Sequence, residues 1–127
     1  MRRVVETNSA PAAIGPYSQA VKYEGKVVFT AGQIGMDSHT GELVEGGIIE
    51  QTEQALNNMR EVLEASQSAL SLVLKVTMYL VDMDDFQTVN RVYANYFVHE
   101  PPARSAVQVT ALPKGALIEL DCVAASK

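Results

Sequence analysis

The run "LVLKVTMYL" at positions 72–80 sets the organisation of the whole chain. It is rich in branched side chains and nearly free of charge, the composition of a strand covered on both faces and central in its sheet. Upstream, positions 48–65 place Ile48, Ile49, Ala55, Leu56, Met59, Val62 and Leu63 on one stripe, with Glu53, Gln54, Asn57, Asn58, Glu61 and Glu64 elsewhere. That spacing predicts an amphipathic helix. Downstream, "DMDDF" (82–86) brings acidic residues and a capping Asp to the positive end of a second helix. Its stripe is Phe86, Val89, Tyr93, Tyr96 and Phe97, and Pro101 and Pro102 stop it.

Strands are expected on both flanks. Positions 20–34 alternate around "EGK" (24–26), where Gly25 suits a tight hairpin, so two paired strands are expected there. The five glycines of "GQIGMDSHTGELVEGG" (32–47) mark a long surface loop. After the second helix come strands over 105–111 and 117–125, separated by the turn residues of "LPKGA". The order β-β-α-β-α-β-β describes an α+β fold of one domain, residues 1–127, with two helices on one face of a single sheet. Along the last strands Val107, Val109 and Ala111 alternate with Ala106, Gln108 and Thr110, and Ile118, Leu120, Cys122 and Ala124 with Leu117, Glu119, Asp121 and Val123. The second face is therefore mixed, and a face of that kind is commonly covered by another copy of the chain, which predicts a symmetric homo-oligomer.

Composition removes several classes of function. With 47% hydrophobic and 20% charged residues and no apolar run near the roughly 18 residues of a membrane span, the chain reads as a soluble globular protein. A net charge of -5 and the lack of any Lys/Arg run argue against nucleic acid as a general partner. The single Cys122 has no disulfide partner, and "MRR" is followed by polar residues rather than an apolar core, so the cytoplasm is the expected compartment. His39 and His99 lie in loops without ligand spacing, and no metal is expected.

The stretch "PPARSAVQV" (101–109) poses the chemical question, because stiff neighbours hold Arg104 at the entrance to a strand and a fixed guanidinium needs an anion. If the last two strands pair as a hairpin centred near Lys114, Glu119 stands opposite residue 109, about 17 Å from Arg104. That is too far for an intrachain ion pair, so a small-molecule carboxylate or a carboxylate of another protomer is expected. Asn90, on the edge of the second helical stripe, either bonds a loop backbone or lines a pocket. Glu119, whose neighbour on the same strand face is Asp121, is either a solvated side chain or a carboxylate placed to orient water and move a proton. Tyr17, after Gly15 and Pro16, either packs or rims a pocket, and Gly32 leaves the backbone open to a ligand.

Seven segments in order, "IGPYSQA" (14–20), "TAGQIGMD" (30–37), "GELVEGG" (41–47), "QALNNM" (54–59), "DMDDFQTVN" (82–90), "PARSAVQV" (102–109) and "LPKGALIELD" (112–121), closely resemble the YjgF/UK114/reactive intermediate deaminase A (RidA) family. The resemblance spans nearly the whole chain. It implies a chorismate mutase-like α+β fold, a homotrimer with three intersubunit clefts, and hydrolysis of 2-imino acids, in equilibrium with 2-enamino acids, to 2-keto acids and ammonia. Those substrates arise from pyridoxal-phosphate-dependent dehydratases, and no cofactor or metal is implied. It further implies that Arg104 binds the substrate carboxylate, that Glu119 handles water, and that Tyr17 and Asn90 line the cleft, with Tyr17 expected to join Glu119 in holding the catalytic water. Some members are described as RNA-cleaving translation inhibitors and others are mitochondrial, and a non-enzymatic carboxylate binder or chaperone-like protein is a further alternative. The chain departs from the family pattern at Ala31, where a serine is frequent, at Pro101, where an aromatic is frequent, and at Asp121, where Glu is usual.

Overall fold

In a computed structural model describing residues 1–127, the apolar run becomes the strand β5 (Val73–Leu80), preceded by a short 3-10 turn at Leu70–Leu72. Along it Val73, Val76, Met78 and Leu80 are buried, while Lys75, Thr77 and Tyr79 keep partial exposure. The strand is central, as its composition predicts, but within one chain it is packed on a single face.

The other strands in chain order are β1 (Arg3–Val5), β2 (Ala20–Lys22), β3 (Val27–Phe29), β4 (Gln33–Ile34), β6 (Ala103–Gln108) and β7 (Ile118–Ala125). The main sheet runs β3-β7-β5-β6, with β4 also pairing with β7. The β5–β6 pair is parallel and the other pairs are antiparallel, so the sheet is mixed. The helix α1 spans Ile48–Ala65, as the stripe predicts, and α2 spans Phe86–Ala94. No helix is long and apolar enough to cross a membrane.

Two expected hairpins do not form. β2 pairs with the unexpected strand β1 in a separate ribbon, whereas β3 joins β7, so "EGK" links two sheets rather than two partners. β1 is only three residues long, too short for alternation to betray it. At the other end β6 and β7 are kept apart by β5, and "LPKGA" forms a 3-10 turn over Pro113–Gly115. A parallel β5–β6 pair needs a crossover connection, and α2 supplies it.

Both helices cover the face that carries Val73, Val76, Met78, Leu80, Ile118, Leu120, Cys122 and Ala124, and pack with it through Leu56, Met59, Leu63, Val89 and Tyr93. Two residues expected on the α1 stripe, Ile49 and Val62, are instead exposed at 44% and 36%, and Gln51 and Thr52 take buried positions. Both have a reason to be inside. Gln51 Oε1 accepts from the Leu117 backbone N–H at 2.8 Å, and the Thr52 hydroxyl donates to the Ile48 carbonyl at 2.6 Å. The loop before α1 comes so close that a Cβ on Gly35 would lie 2.6 Å from the Gln51 α-carbon, which leaves glycine as the residue that fits. Asp82 accepts the Asp84 N–H at 2.9 Å and starts the short 3-10 turn (Met83–Asp85) leading into α2.

Candidate active site

The parallel register of β6 on β5 decides where the charge goes. Arg104 pairs with Val76, Ala106 with Met78 and Gln108 with Leu80, so Arg104 projects from the packed, helix-covered face. On that face α2 meets it: Arg104 Nη1 donates to Asn90 Oδ1 at 2.8 Å. The guanidinium carbon lies 5.3 Å from the Tyr17 ring centre, 5.2 Å from Phe86 and 4.9 Å from Tyr93. Burial pushes the guanidinium below its ordinary value, while the Tyr93 and Tyr17 phenols act the other way.

Tyr17 is brought there by a staple. Ser18 donates its hydroxyl to the Pro101 carbonyl, its backbone N–H bonds the Pro102 carbonyl at 3.1 Å, and Ser18 bridges to Ala103 in parallel. Upstream, the Gln19 side chain bonds the Thr7 N–H and the Thr7 and Pro11 carbonyls, which folds residues 7–11 back on themselves.

Beside Arg104 opens a cavity of about 420 Å³. Its polar lining is Arg104, Asn90, Gln87 and Tyr17, and its apolar lining is Ile14, Met83, Phe86 and Ala106. Arg104 is the one charged side chain among the lining residues, and no carboxylate faces it there. The arrangement suits a small anion with an apolar tail.

Glu119 and Gly32 form a second group away from that cavity. Glu119 pairs with Tyr79 on one side and Ile34 on the other, and so projects from the face opposite Arg104. A Cβ on Gly32 would lie 2.6 Å from the Glu119 carboxyl carbon, so the glycine gives that side chain its place. The same face carries Tyr79, whose hydroxyl donates to Asp121 Oδ2 at 3.0 Å; that bond, before burial, raises the phenol above its ordinary value. It also carries Phe29, exposed at 74%, and Val107, exposed at 44%.

The structure thus brings Arg104, Asn90 and Tyr17 together and sets Glu119 with Gly32 apart. The expected separation of Arg104 and Glu119 holds, but for a different reason from the hairpin. They stand on opposite faces with β5 between their strands. Sequence reasoning missed Phe86 and Tyr93 as neighbours of Arg104. Both were visible in the α2 stripe; what was lacking was the parallel β5–β6 register that puts Arg104 beneath that stripe.

The family model described as Endoribonuclease L-PSP matches residues 7–126. The chain belongs to this YjgF/RidA family. Among YjgF/RidA relatives, it is similar to the 2-iminobutanoate/2-iminopropanoate deaminase of Homo sapiens, at 51% identity over 98% of this chain and 90% of that protein. It is also similar to a RutC family protein of Pyrococcus horikoshii, at 52% identity over 98% of each chain. A solved structure of RidA from the Antarctic bacterium Psychrobacter superposes with a TM-score of 0.77 at 41% identity, covering 97% of this chain and 98% of that one.

Proposed function

We propose that the protein is a 2-iminobutanoate/2-iminopropanoate deaminase that hydrolyses 2-imino acids to 2-keto acids and ammonia. The observation that carries this reading is the cavity beside Arg104, where a rigidly held guanidinium faces open space with no carboxylate of its own chain among the lining residues. Relatives named for this activity, at about half identity over nearly the whole chain, support it.

In this reading the substrate carboxylate pairs with Arg104, and its short side chain lies against Ile14 and Met83. The protonated imine carbon is already electrophilic, so it adds water without a Lewis acid. A C–O bond forms, and Glu119 takes a proton from the water and delivers it to nitrogen. The C–N bond then breaks as the new hydroxyl returns its proton to Glu119, and a keto acid and ammonia leave, the ammonia taking up that proton as ammonium. Because Arg104 and Glu119 project from opposite faces, Glu119 comes from a neighbouring protomer, and the clefts lie between subunits of a homotrimer. The exposed Phe29 and Val107 on the Glu119 face support such an association. A lone guanidinium is a poor fit to a phosphodiester backbone, which needs a run of cations.

Two experiments test this reading. A serine dehydratase generating 2-aminoacrylate gives faster keto-acid release when the protein is added; an unchanged rate overturns the enzyme reading. Mixing Arg104→Ala and Glu119→Gln chains one to one, after unfolding and reassembly, restores on the order of a quarter of parental activity, because each mixed trimer contains one intact cleft. No restoration overturns the intersubunit cleft.

A further inference from the structure

Arg104 is half-buried, and burial of a charge is costly unless something compensates. A carboxylate would compensate but would also occupy the donors that an incoming anion needs. The structure uses rings instead. Phe86 and Tyr93, both from α2, lie with Tyr17 within 5.3 Å of the guanidinium carbon, and aromatic faces attract a cation without accepting its N–H bonds. Of the five N–H donors of the side chain, one is bonded within the chain, to Asn90. Nη2 stands next to Gly15, 3.6 Å from where a side chain there would begin, on the cavity side. Tyr93 is itself held by Phe97, ring centre to ring centre at 4.6 Å, so the wall behind the guanidinium is part of the packed core.

We infer that Phe86 and Tyr93 are positioning residues for anion capture: their rings hold the Arg104 guanidinium in its binding orientation with its donors unspent, so that a carboxylate meets a pre-ordered fork. This rests on the reading of Arg104 as the carboxylate anchor, and on the deaminase reading only for its kinetic readout. An arginine without the rings samples several rotamers and must be ordered when the anion arrives. That ordering is worth roughly three- to tenfold in affinity for one long side chain. The loss at Phe86 falls on binding rather than on the chemical step, because that ring has no donor or acceptor and acts through Arg104.

The test uses the full chain, with butanoate as an inert carboxylate probe and imine hydrolysis as the kinetic assay. Phe86→Leu removes one ring. The expected result is a rise of roughly three- to tenfold in both the butanoate Kd and KM, with kcat within about twofold of the parent. Phe86→Trp, which keeps a ring, recovers part of the loss. Should Phe86→Leu fail to fold, 3,4,5-trifluorophenylalanine at position 86 keeps shape and hydrophobicity while draining the ring face of electrons, and Kd and KM again rise. A packing role alone would leave the fluorinated protein unchanged. Parental Kd and KM in the fluorinated protein overturn the inference, whatever the leucine variant shows; so does a parent that does not bind butanoate at all. A parent that binds butanoate, loses affinity in these variants, yet never speeds imine hydrolysis sinks the deaminase reading and leaves the inference standing.

Discussion

The two faces of the main sheet are built on opposite rules. One is sealed by α1 and α2 and is apolar along β5 and β7, with Val76, Met78, Leu80, Ile118 and Leu120 fully buried; at its edge sits one charged group, Arg104. The other is open in the single chain and mixes Lys75, Thr77, Tyr79, Glu119 and Asp121 with Phe29, Val107 and Val123. Each face holds one of the two groups that the proposed chemistry requires. A packed core and a working site are therefore separate problems here: the first is built within one chain, and the second, in the proposed reading, calls for two.

Substitutions that address the faces separately sharpen this contrast. The largest effect is expected from Leu120→Ala, which opens a cavity on the sealed face and costs about 3 kcal/mol of unfolding free energy, read by chemical denaturation. Val107→Ser on the open face should change the fold's own stability by less than about 0.5 kcal/mol while weakening self-association in sedimentation. Equal losses from the two would break the comparison. Next, Arg104→Ala is expected to lower kcat/KM about a hundredfold, since charge-assisted hydrogen bonds each contribute about 1.5–3 kcal/mol. Arg104→Lys should recover part of that loss, because it keeps the charge and loses the fork.

Gly32→Ala should act on the open face alone. The added methyl displaces the Glu119 carboxylate, and kcat falls by about tenfold with a smaller change in KM. A variant with parental kcat would separate Glu119 from the chemistry. The smallest effect concerns Cys122 on the sealed face, whose thiol is pushed up to about 11, chiefly by burial. A folded value raised above the unfolded one means that the fold keeps the proton. The stabilisation is complete below about pH 9 and is lost as pH climbs toward 11. Denaturant midpoints measured across that window should fall less steeply in Cys122→Ala than in the parent.

What the sequence disclosed, and what it withheld, follows the range of the forces involved. α1 is long enough for its stripe to fix both ends, and the branched run 73–80 could hardly be anything but a central strand. Pairing was another matter. "LPKGA" carries the local signals of a hairpin, yet β5 stands between β6 and β7, because strand order is settled by contacts far apart in sequence. The candidate residues were visible for a similar reason: an arginine between stiff prolines and a strand, or an asparagine beside an aromatic stripe, is out of place on local grounds. Their grouping depended on which face each side chain takes. A single parallel register, Arg104 opposite Val76, separates Arg104 from Glu119 and gives it to Phe86 and Tyr93.

The Ser18 staple has a bearing on how such a mouth can change over evolutionary time. Because Tyr17 is anchored to the very residues that begin β6, it travels with Arg104 as one rigid jaw. The segment before it, gathered by Gln19 mostly through main-chain groups and carrying Ile14 at the rim, can exchange side chains freely without loosening that grip. Diversification of taste is thereby decoupled from preservation of bite.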